Sequence, residues 1–426
     1  MSKITKLTAR QIIDSRGNPT VEVDLFFDSG IYGRGIAPSG ASTGKLEALE
    51  LRDNDDKIFF GKSVIKTVDN VNSEIANNID NNFDYTQSSF DQFLIDIDGT
   101  HNKGKFGANA ILALSLAFAH ANANQLGQPL YKTLTNKQNY TLPIPLMNII
   151  NGGVHANNNL DFQEFMILPI GFDTFSDSLQ AGAEVFHSLK IILEKKNMST
   201  TVGDEGGFAP NVKNDFEALD LLIQSIENSG YIPGENIYLG LDAASSEFYS
   251  NGEYKLQSLD KIYTSDQLTG YFSDLCNKYP IISIEDGMSE DDWDGWKILT
   301  QALGEKVQLV GDDIFVTNPK ILQKGIESNI ANSILIKLNQ IGTVTETLQT
   351  IELARKNKYN YIISHRSGET EDVTISDLAV ATYSGQIKAG SLSRSDRTSK
   401  YNQLLRIEEA IGVNNYNSNN VFGKWL

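Results

Sequence analysis

Polar and apolar residues alternate through residues 3–13, Pro19–Phe27 and Ile31–Ala37. Alternation sets one face of a strand against a core and the other in solvent. Ser15-Arg16-Gly17-Asn18 and Asp28-Ser29-Gly30 separate the runs, so the pattern predicts an antiparallel meander of three strands. It stops at Pro38-Ser39-Gly40-Ala41-Ser42-Thr43-Gly44-Lys45. No large apolar side chain there pins the backbone to a core, and 38–45 is expected to be a mobile loop. From Leu46 to about Thr135 apolar residues recur three and four apart. That spacing predicts helices near 46–52, 63–82, 88–97 and 107–127, the last stopped by Gly127 before Pro129. Strands followed by helices make an α+β domain, placed at residues 1–138. Its end is set by the polar Asn136-Lys137-Gln138-Asn139 and by the new extended run that opens at Leu142-Pro143-Ile144-Pro145.

Residues 139–426 have a different rhythm. Met147–Ile150 and Glu164–Leu168 read as strands on either side of a Gly- and Asn-rich loop centred on His155. A helix is predicted over 176–196, ahead of the glycine-rich Thr201–Phe208. Then come apolar runs that each end in a charged or ionisable group: YLGLD at Asp242, IISIE at Glu285, QLVGD at Asp312, SILIK at Lys337, IISH at His365 and QIK at Lys388. The last five ends are spaced by 27, 25, 28 and 23 residues, the length of one strand, one helix and two loops in a (β/α)8 barrel. The longer gap of 43 residues after Asp242 holds Phe248–Gln257, whose Asn251-Gly252 predicts an inserted hairpin. In such a barrel the strand ends meet at one face, so these groups are expected to share one site.

Composition narrows what that site serves. The 426 residues are 40% hydrophobic, enough for two cores, and carry a formal net charge of −18. Such an acidic chain argues against nucleic acid or an anionic membrane as a main partner. Cys276 is the only cysteine, which excludes an intrachain disulfide and fits a reducing compartment, so a cytoplasmic location is expected. MSKITKLTAR lacks the apolar core of a signal peptide, and Ala110–Ala119 is too short to span a bilayer and predicts a buried helix. GASTGKL is one residue short of a phosphate loop and lacks its final hydroxyl, so nucleotide binding there is not expected.

Three carboxylates on neighbouring strand ends, with no cysteine and few histidines, are hard oxygen donors that suit Mg2+ better than zinc. A lysine beside such a cation is not a ligand. Burial and the positive ion both favour its neutral form, which makes Lys337 a candidate base. Arg366, Ser367 and Lys388 on the next strand ends suit a phosphorylated acid, because a guanidinium grips phosphate oxygens in pairs. Glu205, among glycines on the opposite side, is then a candidate general acid.

The stretches DSRGNPTVEV, APSGASTG, KFGANAILA, NGGVHANN, DFQEFMI, VGDEGGFAP, SIEDGM, LVGDD, ILIKLNQIGT, ISHRSGETED and GSLSRSDR stand in the order found in the enolase family, and the chain resembles that family over nearly its whole length. The resemblance implies reversible dehydration of 2-phosphoglycerate to phosphoenolpyruvate on a barrel that begins β-β-α-α behind an α+β capping domain. It implies two Mg2+ per active site: Asp242, Glu285 and Asp312 would hold the first, and Ser42 of the closing loop would help hold the second. A lysine base beside one or two Mg2+ is general to this superfamily, and Lys337 would take the carbon 2 proton. Glu205, with Glu164, would protonate the departing hydroxyl. His155, Gln163, Glu164, His365, Arg366, Ser367 and Lys388 would bind substrate. A homodimer or an assembly of dimers is also implied. Ser245 stands in DAASSEF where bacterial members usually carry alanine, with no consequence expected for the metal.

Two other readings stay open. A sugar-acid dehydratase of the same superfamily would use this barrel and metal on an unphosphorylated acid, against which Arg366, Ser367 and Lys388 argue. A non-catalytic structural or surface-binding role is the other. The intact metal and base residues do not favour it, and VFGKWL lacks the paired lysines associated with plasminogen capture.

Overall fold

Strands β1 (Ile4–Ile13), β2 (Pro19–Phe27) and β3 (Tyr32–Ile36) form the expected antiparallel meander in a computed structural model that describes residues 3–41, 43–136, 140–416 and 420–426. One face of the meander carries Val21, Val23 and Leu25, all fully buried beneath the helix Ala108–Leu126. The helix approaches closely because both surfaces are small. A Cβ at Gly33 would stand 2.0 Å from the Ala121 nitrogen, and one at Gly35 2.1 Å from the Ala113 oxygen. Glycine is therefore required there for packing. The helix stops at Gly127, whose φ of 62° suits a residue without a Cβ.

The predicted helix at 88–97 is Gln87–Asp98, started by a Thr86 capping box. The one at 63–82 is shorter, Ile65–Asn70 and Ala76–Asn78 joined through a wider turn at Val71–Ile75. The expected helix at 46–52 does not form. Its backbone donors are taken by other parts of the molecule: Ala48 N–H by the Gln340 carbonyl, Leu49 N–H by the Asn102 carbonyl and Leu51 N–H by Asn109 Oδ1. With those bonds made elsewhere the segment lies as an extended strap, and its helix-like spacing leaves Leu46 and Leu49 exposed.

The second half closes into a barrel of eight strands. They are β4 (Ile144–Asn151), β5 (Glu164–Pro169), β6 (Ile237–Asp242), then, after the insertion β7 (Tyr249–Ser250), β8 (Glu253–Leu256) and β9 (Lys261–Tyr263), β10 (Ile281–Glu285), β11 (Gln308–Gly311), β12 (Ser333–Ile336), β13 (Asn360–Ser364) and β14 (Gln386–Gly390). Neighbours follow chain order and β14 returns to β4. Strand β5 runs antiparallel to both neighbours and the other pairs are parallel. The helices Phe175–Lys195 and Asp215–Asn228 both follow β5, so the barrel starts β-β-α-α as expected. The inserted hairpin turns at Asn251 and Gly252, with φ of 53° and 84°.

Reversal of β5 matters for the site. Its first residue, Glu164, pairs in register with Asp242, the last residue of β6, so a residue at the start of β5 reaches the same face as the ends of the others. Deep in the barrel, Gln308 and Gln386 exchange amide bonds at 2.8 and 2.9 Å, and Gln308 also donates to Ser283 at 3.1 Å. Fully paired, these buried amides fill the barrel without leaving an orphaned dipole.

The two halves are joined by side chains of one that satisfy backbone of the other. Asp91 Oδ2 accepts the Thr345 N–H at 2.9 Å, Ser115 Oγ accepts the Val344 N–H at 3.0 Å, and Asp377 Oδ1 accepts the Tyr131 N–H at 3.1 Å. The expected domain limit at 138/139 falls at residues 137–139, outside the described residues. The tail after Gly412 is more than a surface segment. Tyr416 and Phe422 are buried, and Tyr416 donates to the Pro169 carbonyl at 2.7 Å, because two aromatic rings have more to gain from the core than from water.

Candidate active site

Each predicted strand end delivers its group to the same face. Asp242 and Glu285 close β6 and β10, Asp312 and Lys337 directly follow β11 and β12, His365, Arg366 and Ser367 follow β13, and Lys388 sits inside β14. His155 ends a short turn at Gly153–His155 after β4, and Glu205 comes from the glycine-rich loop before Phe208. All the predicted catalytic and substrate-binding residues, together with Asp242, line one cleft whose free volume is about 20 Å³. That is room for roughly one water, so the side chains themselves fill the site. Ser42 lies outside the described residues.

Two ammonium groups organise the acids. Lys388 Nζ lies 3.1 Å from Asp242 Oδ2, 2.9 Å from Glu285 Oε1 and 3.0 Å from Glu164 Oε1. Lys337 pairs with Asp312 Oδ2. Glu285 and Asp312 are thus reached from the cleft through the two lysines. Burial pushes Glu285 well up, and Asp242 and Asp312 add to it, while Lys388 and Lys337 oppose. Asp312 moves the other way: burial works against its charge, but Lys337 outweighs burial and holds it low. Lys337 answers in kind. Burial disfavours its ammonium, yet Asp312 overrides this and raises it, so the expected neutral amine is not what this arrangement favours.

On the opposite side, one imidazole faces two carboxylates. His155 Nδ1 is 3.7 Å from both Glu164 Oε1 and Glu205 Oε1. Burial drives Glu164 well up, reinforced by the charge of Glu205. Glu205 stays well below the usual range: burial opposes its charge, but His365, His155 and Arg397 stabilise it, and Asn148 Nδ2 donates to its Oε2 at 3.1 Å. Burial also pushes His365 down to about 4, with its Nε2 3.4 Å from Glu205 Oε1. The two carboxyl groups are thus pushed in opposite directions, Glu164 towards its protonated form and Glu205 towards its charged one.

Arg366 and Ser367 are engaged by the capping domain. Arg366 pairs with both oxygens of Glu47, at 3.0 and 3.2 Å, and with Asn339 Oδ1 at 2.9 Å. Ser367 Oγ accepts the Ala41 N–H at 2.6 Å, Lys45 N–H reaches Glu290 Oε2 at 3.1 Å, and Ser39 pairs with Gly368. Ser39, Ala41 and Lys45 are thus held against the barrel. Gln163 Nε2 donates to Asp242 Oδ2 at 3.1 Å, fixing that carboxylate from β5.

Four residues were not singled out from sequence. Arg397, fully buried, donates to the Arg366 carbonyl and to the Ser367 carbonyl at 2.6 Å, and meets His365 Nδ1. Asp286 accepts the N–H groups of Asp312 at 2.9 Å and Asp313 at 3.0 Å, fixing the end of β11. Glu47 and Gln340 complete the set. Arg397 and Gln340 stand inside stretches that carry the resemblance, and Asp286 directly follows Glu285, so position was the available signal.

The predicted metal donors fit a hard divalent cation. Asp242, Glu285 and Asp312 are buried and offer only carboxylate oxygens, and their mutual repulsion shows in the raised Glu285. Among the described residues, the groups whose ligand atoms lie within 4.8 Å of one another are Asp286, Asp312 and Asp313, and His155, Glu164 and Glu205. The expected trio is not one of them: Asp242 and Glu285 pair with Lys388, and Asp312 pairs with Lys337.

Comparison with known families agrees with this geometry. Residues 4–134 match the enolase N-terminal domain, and residues 139–424 match the enolase C-terminal TIM barrel domain. The chain belongs to the enolase family. Membership supports a lyase with a small-molecule substrate, and the barrel face carries acidic clusters able to hold a metal ion. Among the described residues no helix is long and apolar enough to cross a membrane.

Proposed function

We propose that this enolase-family protein catalyses the reversible, Mg2+-dependent loss of water from 2-phosphoglycerate to give phosphoenolpyruvate. The observation that carries the reading is a single cleft lined by a lysine, Lys337, and by a carboxyl pair, Glu164 and Glu205, whose tendencies to hold a proton are pushed apart. Such a cleft can take a proton from one carbon and give one to a leaving hydroxyl on the next.

Asp242, Glu285 and Asp312 would hold the first Mg2+, with Ser42 beside a second. A Mg2+ held there would supply positive charge to these carboxylates, in place of Lys337 and Lys388, and to the substrate carboxylate. Lys337, released from Asp312, accepts the carbon 2 proton. The Glu164 and Glu205 pair delivers a proton to the departing hydroxyl, with His155 Nδ1 3.7 Å from both. Arg366, Ser367 and Lys388 bind the phosphate and carboxylate, which requires Arg366 to loosen from Glu47. Gln163 and His365 hold Asp242 and Glu205 in place. The loop 38–45 excludes water when it closes. Domains meeting at 138/139, a cytoplasmic location and a homodimer complete the proposal.

A spectrophotometric assay of phosphoenolpyruvate formation, with Mg2+ and with excess chelator, tests it. Activity that depends on Mg2+ and on the phosphate of the substrate is expected. Equal turnover in chelator, or turnover of unphosphorylated sugar acids only, would replace this reading with another.

A further inference from the structure

Gln340 ends the apolar run that carries Lys337, and its side chain is buried outside the cleft. The amide nitrogen donates to Asp312 Oδ1 at 2.9 Å and to Glu47 Oε1 at 3.2 Å. The amide oxygen accepts from Thr317 Oγ1 at 2.7 Å. That hydroxyl in turn accepts the Lys337 backbone N–H at 2.9 Å. The Gln340 carbonyl also accepts the Ala48 N–H at 2.8 Å, at the root of the loop 38–45. Only a primary amide serves this position. Two carboxylates need donors at one end and a hydroxyl needs an acceptor at the other, which also fixes which end is nitrogen.

Two further observations point the same way. Glu47 Oε1 accepts the Gly44 N–H at 3.1 Å while both Glu47 oxygens hold Arg366, so Glu47 joins the loop to the arginine. Val316 and Thr317 have φ of 42° and 55°, a left-handed conformation that β-branched residues rarely adopt. Strain of that kind persists where the surroundings demand it, and here it aims the Thr317 hydroxyl between Gln340 and Lys337.

We infer that Gln340 is a positioning residue that couples the loop root, through Glu47, to the placement of Asp312 and Lys337. The terms base and metal ligand in this inference rest on the function proposed above. When the loop docks, Glu47 and Ala48 bring Gln340 into place, and Gln340 with Thr317 orients Asp312 and the Lys337 backbone.

Gln340→Met keeps the length and volume of the side chain but removes every side-chain hydrogen bond. Expected outcomes are a 10- to 100-fold weaker Mg2+ affinity by calorimetry and a similar fall in kcat. KM is expected to change less than kcat, because the groups that touch substrate remain. Amide exchange at residues 43–48 should quicken in the variant. Combining Gln340→Met with Glu47→Gln should cost less than the product of the single losses, since both break one linkage. Thr317→Ala should lower kcat while Thr317→Ser, which keeps the hydroxyl, restores it, and this pair decides the matter if Gln340→Met does not fold. Unchanged Mg2+ affinity, unchanged kcat and unchanged exchange in folded Gln340→Met would reduce Gln340 to a brace. Calorimetry and exchange need no turnover, so they stand even if the protein proves inactive on 2-phosphoglycerate.

Discussion

Lys388 Nζ lies 2.9 and 3.0 Å from the two carboxylate oxygens of Glu285. This buried cation stands among three acids and is raised well above its ordinary value: burial disfavours its charge, but Asp242, Glu164 and Glu285 prevail. Lys388→Met would leave those acids without compensation. Removing one partner of a buried pair costs roughly 3–5 kcal/mol, and that loss is expected in denaturant titrations of the chelator-treated protein. The loss should be larger at pH 8 than at pH 5, where the carboxyl groups can protonate instead. Added Mg2+ should narrow the gap between variant and parent, since a bound cation replaces the missing charge. A variant as stable as the parent at pH 8 would show that the acids are already neutral.

Stability should also depend on a carboxyl group far from the cleft. Asp215, fully buried at the start of the helix Asp215–Asn228, is pushed up to about 7 by burial, against a hydrogen bond from Tyr271 at 2.9 Å. Its unfolded value is the ordinary one for aspartate, so between about pH 4 and 7 the folded state binds the extra proton. Stability from this group is therefore present at low pH and lost as pH rises through 7. Asp215→Asn should remove that slope and be more stable than the parent at pH 8, by roughly 2–4 kcal/mol, and by less than half as much at pH 5. Parallel stability profiles of the two proteins from pH 5 to 8 would contradict the assignment.

Periodicity located the barrel and its site because each strand is an apolar run closed by a charge, and strand ends converge by topology alone. Asp242, Glu285, Asp312 and Lys337 were legible for that reason. The ionic state was not. Whether Lys337 is an amine or an ammonium depends on the position of Asp312, which is set by Gln340 and Asp286, and no spacing rule reports that contact. Residues 46–52 failed for a related cause: their helical spacing competes with backbone partners at Gln340, Asn102 and Asn109, which lie far along the chain or in another element. The burial of the tail was not legible, because Tyr416 stands alone among asparagines and Phe422 in a run of only six residues, Val421 to Leu426, and neither is long enough to carry a period.

The division of labour across the cleft can be separated by experiment. If Lys337 takes the carbon 2 proton, Lys337→Ala should lose both exchange of that proton with deuterated solvent and formation of phosphoenolpyruvate, by at least the ~10²–10⁴-fold typical of a missing acid or base. Glu205→Gln and Glu164→Gln should behave differently. Each removes one member of the carboxyl pair, so delivery to the hydroxyl suffers, while Lys337, Asp312 and their neighbours remain. Exchange at carbon 2 should then persist as product formation falls. Both substitutions keep the shape of the side chain, and Glu205→Gln retains an acceptor for Asn148. Proton NMR of 2-phosphoglycerate in deuterium oxide, run beside the spectrophotometric assay, reads the two steps in one sample. If exchange and turnover fall together in Glu205→Gln while Mg2+ and substrate still bind, the carboxyl pair takes part in proton removal or the two steps are concerted, and the roles assigned to the two sides of the cleft are wrong.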